Sequence, residues 1–217
     1  MIYEQHRAQL IGVMREMADS GLVIGTWGNA SCRADQHILI TPSGMDYMMM
    51  QPEDLALLDM DGAVAAGKWR PSVESPLHLA IYRARPEVRA IVHVHSVNAS
   101  AFAVANQAIP VVLEEMAQII GHPVVTAAYA RCGSARLAAA VLSALGAQGQ
   151  AVLLANHGQL TLGRNLPEAL KRARIVEKSA EVTLKAQALG AIHPLSPEVV
   201  NDLRAAFKDY GVKEVQP

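Results

Sequence analysis

Apolar side chains recur along the chain with the spacing of amphipathic helices in several places. Leu10, Ile11, Met14 and Met17 lie on one face of a helix predicted over residues 4–20. Similar segments predict four further helices, which are SPLHLAIYRARP (75–86, ended by Pro86), NASAFAVANQ (98–107), a segment from about Ser134 to Leu145, and residues 167–189. The chain therefore alternates helices with the shorter apolar segments between them.

Shorter apolar runs bounded by turn residues predict strands, and several of these strands are joined as hairpins. RADQH (33–37) separates two short strands, and a second hairpin turns about residues 61–62. RAIVHVHS (89–96) is predicted as a single strand, and AVLLANHGQLTLG (151–163) as two strands about a tight turn. Hairpins require antiparallel neighbours, so the pattern favours an α/β sandwich of mixed or antiparallel pairing over a doubly wound parallel sheet.

Length and charge narrow the classes of protein that remain. The 217 residues contain no linker or low-complexity tract, so we expect a single domain over residues 1–217. Lys and Arg (19) nearly balance Asp and Glu (20) without a basic cluster, which argues against nucleic-acid or anionic-membrane partners. No window approaches the roughly 18 apolar residues of a membrane span, and charges interrupt the N-terminal segment too often for a signal peptide. We therefore expect a cytoplasmic protein, in which Cys32 and Cys132 are buried or idle thiols.

A pair of histidines interrupts the apolar strand at residues 89–96. Because side chains alternate along a strand, His93 and His95 point the same way, about 7 Å apart along the backbone, and can share one partner. His157, in the turn between two apolar strands, can be aimed into a pocket at a sheet edge. Three protein ligands with one open coordination position are the usual arrangement of a catalytic zinc site. The alternative, polar residues on a half-exposed strand face, is disfavoured because both rings would need partners.

An HxH pair by itself also occurs in hydrolases, carbonic anhydrases and barrel oxygenases. The chain continues Ser96-Val97-Asn98, which lacks the Asp-His continuation of the binuclear hydrolases and the nearby Glu of the oxygenases. The remaining histidines are not paired with another histidine in this way, and we expect them to be surface or core residues. They are His6, His37, His78, His122 and His193. His78 comes four residues after Glu74 and can share its helical face.

Five motifs occur in order along the chain. They are GTWGNAS (25–31), ITPSG (40–44), PSVESPLH (71–78), IVHVHS (91–96) and ANHG (155–158). With these motifs the chain resembles the class II aldolase/adducin family, and looks most like its fuculose-1-phosphate aldolase branch. The resemblance implies a three-layer α/β/α sandwich with a central mixed, largely antiparallel sheet. It also implies a homotetramer with active sites at subunit interfaces, and a Zn²⁺ ion, or another divalent transition metal, that polarises the carbonyl of a phosphorylated sugar.

The resemblance also assigns roles to residues of this chain. His93, His95 and His157 match the zinc ligands, and Glu74 matches the acid/base residue beside the metal. A divalent ion stabilises the negative charge that develops when the C3–C4 bond of a ketose 1-phosphate breaks, and a carboxylate beside it can move a proton. Positions that match the family's phosphate-binding residues are Thr26, Gly28, Asn29, Ser43, Gly44 and Ser72. The alternative for Glu74 is an acid at a helix N-terminus, favoured by the helix dipole and capped by Ser72.

Two positions depart from the family pattern. Val73 replaces the second residue of a serine pair, which removes one hydroxyl from the phosphate loop. Glu114 stands where the fuculose-phosphate aldolases carry a tyrosine that acts as a proton donor at a neighbouring subunit's site. Glu114, or Glu115 after it, is one candidate for the aldehyde-side acid, and Tyr210 in FKDYG is another. The change suggests a substrate other than fuculose 1-phosphate, such as a 5-deoxypentulose or a methylthio-pentulose phosphate.

The predicted activity is therefore the zinc-dependent, reversible cleavage of a ketose 1-phosphate into dihydroxyacetone phosphate and an aldehyde. The substrate is expected to be of the fuculose-1-phosphate, 5-deoxyribulose-1-phosphate or methylthioribulose-1-phosphate type. The family also contains ribulose-phosphate 4-epimerases, which place Asp where Glu74 stands, and 3-oxo-tetronate 4-phosphate decarboxylases, which keep the Glu. Glu74 favours aldol cleavage over epimerisation, and decarboxylation is the nearest alternative. A non-catalytic, adducin-like assembly module should have lost metal ligands, and all three histidines are present.

Overall fold

The computed structural model describes residues 2–207, whose strands form one eight-stranded sheet. In chain order the strands are β1 (Gly28–Ala34), β2 (His37–Ile40), β3 (Ala56–Asp59), β4 (Val64–Ala66), β5 (Ala90–Val94), β6 (Thr126–Ala127), β7 (Ala151–Leu154) and β8 (Gly158–Gly163). Across the sheet the order is β4-β3-β2-β1-β5-β8-β7-β6. Every neighbouring pair is antiparallel except β6 and β7, which are parallel. The prediction of a mixed, largely antiparallel sheet is confirmed.

Seven α-helices lie among residues 2–207. They are α1 (Glu4–Asp19), α2 (Ser75–Ala84), α3 (Val97–Val104), α4 (Glu114–Ile119), α5 (Ala135–Leu145), α6 (Leu166–Leu189) and α7 (Pro197–Phe207). A single turn of 3-10 helix, Pro52–Asp54, precedes β3. The five helices predicted from the sequence are present as α1, α2, α3, α5 and α6, whereas α4 and α7 are additional. None of the helices in the described part of the chain is long and apolar enough to cross a membrane.

The helices pack on both faces of the sheet, which makes three layers. Successive residues of β2 show the division, because side chains alternate between the faces of a strand. Leu39 belongs to a core that contains residues of α1 and α6, whereas Ile38 and Ile40 belong to a core that contains residues of α2 and α5. A third cluster joins α3, α4, α6 and α7 around Phe102 and Met116. The predicted α/β/α sandwich is therefore confirmed.

One end of the sheet collects several chain segments that are far apart in sequence. Because β1, β2, β5 and β8 are antiparallel neighbours, the start of β1, the end of β2, the end of β5 and the start of β8 meet at the same end. We call it the histidine end, since His95 follows β5 there and His157 precedes β8. An antiparallel bridge between Pro42 and Pro71 brings the segment before α2 to the same place.

Candidate metal centre

His93 and His95 lie at the histidine end with their rings in contact. His93 belongs to β5 and is fully buried, and His95 follows the end of that strand. Their Nε2 atoms are 3.0 Å apart, so the two side chains point into one space, as strand alternation predicts. Polar rings in such a buried position need partners, because an unpaired polar group costs free energy away from water.

His157 reaches the same space from the tight turn between β7 and β8. Its ring centroid lies 4.8 Å from that of His93 and 4.6 Å from that of His95. The next residue, Gly158, lies so close to β5 that a Cβ would sit 2.4 Å from the Val94 carbonyl oxygen. Only glycine allows this approach, and the approach brings His157 to the other two histidines.

A hydrogen bond on the far side of the ring orients His93. Its Nδ1 lies 2.9 Å from the carbonyl oxygen of Gln159, and since a carbonyl only accepts, Nδ1 carries the proton. Nε2 therefore presents a lone pair to the other histidines. The Gln159 side chain is itself held, because its amide donates to Ser96 Oγ at 2.7 Å and to the Ala173 carbonyl oxygen at 3.1 Å. Such an outer hydrogen bond is typical of histidines that bind metals.

All three imidazoles are neutral at pH 7, because burial penalises the charged form. Burial lowers the pKa of His93 to about 4. Burial and the neighbouring His93 and His157 rings lower the pKa of His95 to about 3, and burial and His93 lower the pKa of His157 to about 4. Neutral rings keep their lone pairs free, which is the protonation state that metal binding requires.

Glu74 joins the histidines from the segment just before α2. It is 3% exposed, and its Oε2 lies 3.1 Å from His93 Nε2 and accepts a hydrogen bond of 2.7 Å from Asn29 Nδ2. Its Oε1 lies 3.9 Å from His157 Nε2 and is buried without a hydrogen-bond partner. Glu74 is the N-cap residue of α2, so it does lie at the helix start, but no side chain caps this helix. Ser72 Oγ instead accepts a hydrogen bond of 3.2 Å from the backbone N–H of Glu74 itself.

A divalent cation fits this group of side chains. The candidate ligand nitrogens of His93, His95 and His157 lie within 4.8 Å of one another. Three neutral nitrogen donors and a buried carboxylate with an unpartnered oxygen share one space, and a cation would satisfy them together. Nitrogen and carboxylate donors in this number suit zinc and the neighbouring transition metals.

The residues that match the family's phosphate loops gather around the histidine end. Gly28 and Asn29 begin β1, directly beside β5. Ser43 and Gly44 follow β2, and the proline bridge sets them next to Ser72, whose backbone N–H donates to the strand-end carbonyl of residue 41 at 3.0 Å. The structure thus brings these positions to the histidine end of the sheet, and their role as phosphate ligands stays a prediction.

Two of the predicted phosphate residues differ in how free their side chains are. Asn29 is 5% exposed, and its amide donates to Glu74, so it holds the carboxylate in place. Thr26 lies in the loop before β1 and is half-buried. Both remain predictions as phosphate ligands, and Asn29 has a positioning role besides.

Two of the candidates for the aldehyde-side acid, Glu114 and Glu115, lie in the described part of the chain, and neither belongs to a group of candidate metal ligands with the histidines. Glu114 is the first residue of α4 and is exposed. Its neighbour Glu115 forms an ion pair with Lys178 of α6, which lowers the pKa of the Glu115 carboxyl. Tyr210 lies outside the described residues. Both assignments stay predictions.

Cys132 is the residue at this site that sequence spacing does not reveal. It lies in the loop before α5, and its Sγ, a carboxylate oxygen of Glu74 and a ring nitrogen of His157 lie within 4.8 Å of one another. Partial desolvation and the Glu74 charge raise the pKa of the thiol to about 12, although the Cys132 residue as a whole is exposed. No local motif links Cys132 to the histidines, so only the folded chain reveals this proximity.

Comparisons with known proteins agree with the motifs. A family model described as the class II aldolase and adducin N-terminal domain matches residues 8–184. This range contains His93, His95, His157, Glu74 and Cys132.

Relatives and a solved structure span nearly the whole chain. A 5-deoxy-D-ribulose 1-phosphate aldolase of Bacillus thuringiensis serovar kurstaki is 33% identical over 213 residues, which cover 97% of this chain and 99% of the relative. A 5-methylthioribulose-1-phosphate/5-deoxyribulose-1-phosphate aldolase of Escherichia coli O45:K1 is 36% identical over 206 residues, or 94% of this chain and 96% of the relative. The structure of an L-fuculose 1-phosphate aldolase superposes with a TM-score of 0.92 at 31% identity, covering 96% of this chain and 98% of that one.

Proposed function

The chain belongs to the class II aldolase and adducin family, and from that membership we propose that it is a metal-dependent aldolase that cleaves a ketose 1-phosphate into dihydroxyacetone phosphate and an aldehyde. One observation carries the proposal. Three neutral imidazoles and the buried Glu74 carboxylate share one space at the sheet end where the candidate phosphate loops gather. The histidines and Glu74 would act at the carbon–carbon bond that breaks, and the loops would hold the phosphate group.

His93, His95 and His157 would hold the metal, for which we propose Zn²⁺. When bound, the ion supplies a Lewis acid that polarises the substrate carbonyl and offsets the negative charge of the transition state. The hydrogen bond from His93 Nδ1 to Gln159 keeps the ring in the tautomer that this role requires.

Glu74 is the proposed proton carrier. Its Oε2 is held by Asn29, while its Oε1 has no hydrogen-bond partner and is the oxygen free to take or give a proton. In the cleavage direction the C3–C4 bond breaks, the hydroxyl proton on C4 leaves to form the aldehyde, and C3 receives a proton to complete dihydroxyacetone phosphate. We assign delivery of the proton at C3 to Glu74. Removal of the C4 hydroxyl proton is assigned to the aldehyde-side residue, either Glu114 or Tyr210, which accepts this proton in cleavage and donates it in the reverse direction.

The phosphate end of the substrate would lie against the loops at the histidine end. Small residues there allow backbone N–H groups to approach phosphate oxygens, and the N-terminus of α2 adds a favourable dipole. The proposed phosphate ligands are Thr26, Gly28, Asn29, Ser43, Gly44 and Ser72. Val73 is 47% exposed and offers no hydroxyl, so at this position only the backbone can contribute.

The aldehyde end of the substrate is proposed by similarity. The two relatives act on 5-deoxyribulose and methylthioribulose phosphates by name, which agrees with Glu114 in place of the fuculose-type tyrosine. We propose one of these two pentulose phosphates as substrate, and a homotetramer with active sites at subunit interfaces as the working form.

The experiment measures dihydroxyacetone phosphate released by zinc-loaded protein from fuculose 1-phosphate, 5-deoxyribulose 1-phosphate and methylthioribulose 1-phosphate, with and without a chelator. We expect release that the chelator abolishes, fastest with one of the pentulose phosphates. Glu74→Gln should lower turnover by roughly 10²–10⁴-fold, since a positioned acid or base contributes that much. Glu181→Gln removes a half-buried carboxylate that pairs with Lys185 on α6; it is the control and should turn over like the wild type.

Three other outcomes would replace this function. Chelator-sensitive release of carbon dioxide from 3-oxo-tetronate 4-phosphate, without cleavage of the three ketose phosphates, would make the protein a decarboxylase. Interconversion of pentulose 5-phosphates would make it an epimerase. Turnover of none of these compounds by protein that retains no metal would favour an assembly module.

A further inference from the structure

Cys132 is held beside the histidine cluster by the backbone of its own loop. The next residue, Gly133, has a φ of 75°, and a Cβ there would lie 2.8 Å from the carbonyl oxygen of Val73. The loop therefore packs tightly against the segment that carries Glu74. On the other side, Ser134 caps α5 by accepting a hydrogen bond of 3.2 Å from the Leu137 backbone N–H, which anchors the loop to a helix.

The surroundings of the thiol are those of a metal ligand. Its Sγ, a Glu74 carboxylate oxygen and a His157 ring nitrogen form a second group of candidate donors within 4.8 Å, and His157 belongs to the three-histidine group as well. Glu74 is nine-tenths buried or more, and its Oε1 has no hydrogen-bond partner. A thiolate, an imidazole and an unpartnered carboxylate oxygen together make a set of donors that one cation could bind at the same time.

We propose that Cys132 is an additional, sulfur ligand for a soft divalent cation such as Cd²⁺ at this centre. The proposal rests on the proposed metal centre and adds a second donor set to it: the histidines alone suit borderline ions, while the thiolate selects thiophilic ones. On binding, the thiol gives its proton to solvent and a metal–sulfur bond forms, without any change in oxidation state. A thiolate bound to the ion would compete with substrate oxygens for the open coordination position, so a soft ion held by Cys132 would inhibit the enzyme.

The test compares wild type, Cys132→Ala and Cys32→Ala. Cys32 is the matched control, because it is buried in the core of β1 and belongs to neither group of candidate ligands. Each protein is stripped with a chelator, titrated with Cd²⁺, and followed by the ultraviolet sulfur-to-cadmium charge-transfer band and by the cadmium content after gel filtration. The unfolding midpoint of each variant reports that it is folded.

Wild type and Cys32→Ala should bind one Cd²⁺ per chain and develop the band. Cys132→Ala should bind Cd²⁺ without the band and with an affinity at least ~10-fold lower, since loss of a soft donor weakens binding of a soft ion. Retention of the band in Cys132→Ala, or its absence from wild type that binds one Cd²⁺, would overturn this proposal and leave the histidine centre intact. Failure of wild type to bind any Cd²⁺ or Zn²⁺ would instead overturn the metal centre itself, and this proposal with it.

Discussion

At the scale of single residues, fully buried histidines differ in the partners they find. His93 has a carbonyl behind it and the histidine cluster in front. His78 lies outside both groups of candidate ligands: its Nδ1 is 2.7 Å from Ser31 Oγ, which also contacts the Tyr82 hydroxyl at 2.9 Å, and its Nε2 has no partner. Burial, with a smaller effect of the nearby His93, lowers the pKa of His78 to about 3. It is therefore a neutral core residue, which is the structural role expected of it.

Removal of the His78 imidazole should weaken the pH dependence of stability. The folded protein keeps His78 neutral down to about pH 3, whereas an unfolded histidine titrates near ~6.5. Between these values the unfolded state binds more protons, so the free energy of unfolding decreases as the pH falls through that window. This residue accounts for up to ~1.4 kcal/mol per pH unit.

Urea denaturation of chelator-treated wild type and His78→Asn, at about pH 7 and about pH 5, measures the effect. His78→Asn should lose less stability than wild type on acidification. The slope of the free energy of unfolding against pH should be smaller for His78→Asn, by the equivalent of up to one bound proton. Equal slopes for the two proteins would contradict a neutral, buried histidine at this position.

At the scale of elements, the site depends on how closely strands approach one another. β1 pairs with β5 so that Gly28 lies opposite Val94 and Asn29 opposite His93. The helix that follows His95 is fixed as well, because the Glu177 carboxylate of α6 accepts hydrogen bonds of 2.9 Å from the first backbone N–H groups of α3, those of residues 98 and 99. The cluster is thus held by strand pairing on one side and a capped helix on the other.

A methyl group at Gly28 should disturb this pairing. The residue has a φ of 143°, and a Cβ would lie 2.6 Å from Val23 Cγ1 and 3.0 Å from the His93 carbonyl oxygen. We expect Gly28→Ala to lower the free energy of unfolding by more than ~1 kcal/mol and to reduce metal retention, since the backbone that carries His93 must move.

Gly12→Ala is the matched control for this substitution. Gly12 lies inside α1, where a Cβ would meet no atom within 4 Å. Alanine in a helix interior should stabilise the protein by about 0.5–1 kcal/mol relative to glycine. Urea denaturation and the metal content after dialysis check both variants, and a Gly28→Ala protein as stable and metal-rich as Gly12→Ala would refute the tight strand contact.

At the scale of the whole molecule, the histidine end carries large apolar side chains in contact with solvent. Trp27, next to β1, is 67% exposed, and Tyr129, on the loop that carries Cys132, is 64% exposed. A contiguous patch of exposed apolar groups marks a surface that binds other molecules, whereas single ones are ordinary. These two side chains are candidates for contacts within the proposed homotetramer.

Light scattering should therefore give a mass near four times 23.2 kDa for the active protein. Sites completed by a neighbouring subunit lose activity when the subunits separate, so specific activity should fall when dilution dissociates the assembly. A monomer that turns over at the full rate would rule out interface sites.

Much of the fold follows from local patterns. Strand alternation predicts the shared direction of His93 and His95, and the turn residues predict the hairpins about residues 61–62 and 156–158. The additional helix α4 has only six residues, and so short a helix is too weak to form by propensity alone. Its Met116 and Ala117 are buried in the third core cluster, so tertiary packing rather than local pattern stabilises it.

The sequence by itself determined the alternation of strands and helices, the paired histidines on one strand face, and the motifs that place the chain in its family. Tertiary structure decided that Glu74 lies 3.1 Å from His93, that Asn29 holds the Glu74 carboxylate, and that Cys132 lies beside both Glu74 and His157. The physical reason is the distance along the chain over which each property is set. Side-chain direction along a strand is a property of neighbouring residues, whereas contacts between residues far apart in the chain depend on how sheet, helices and loops pack together.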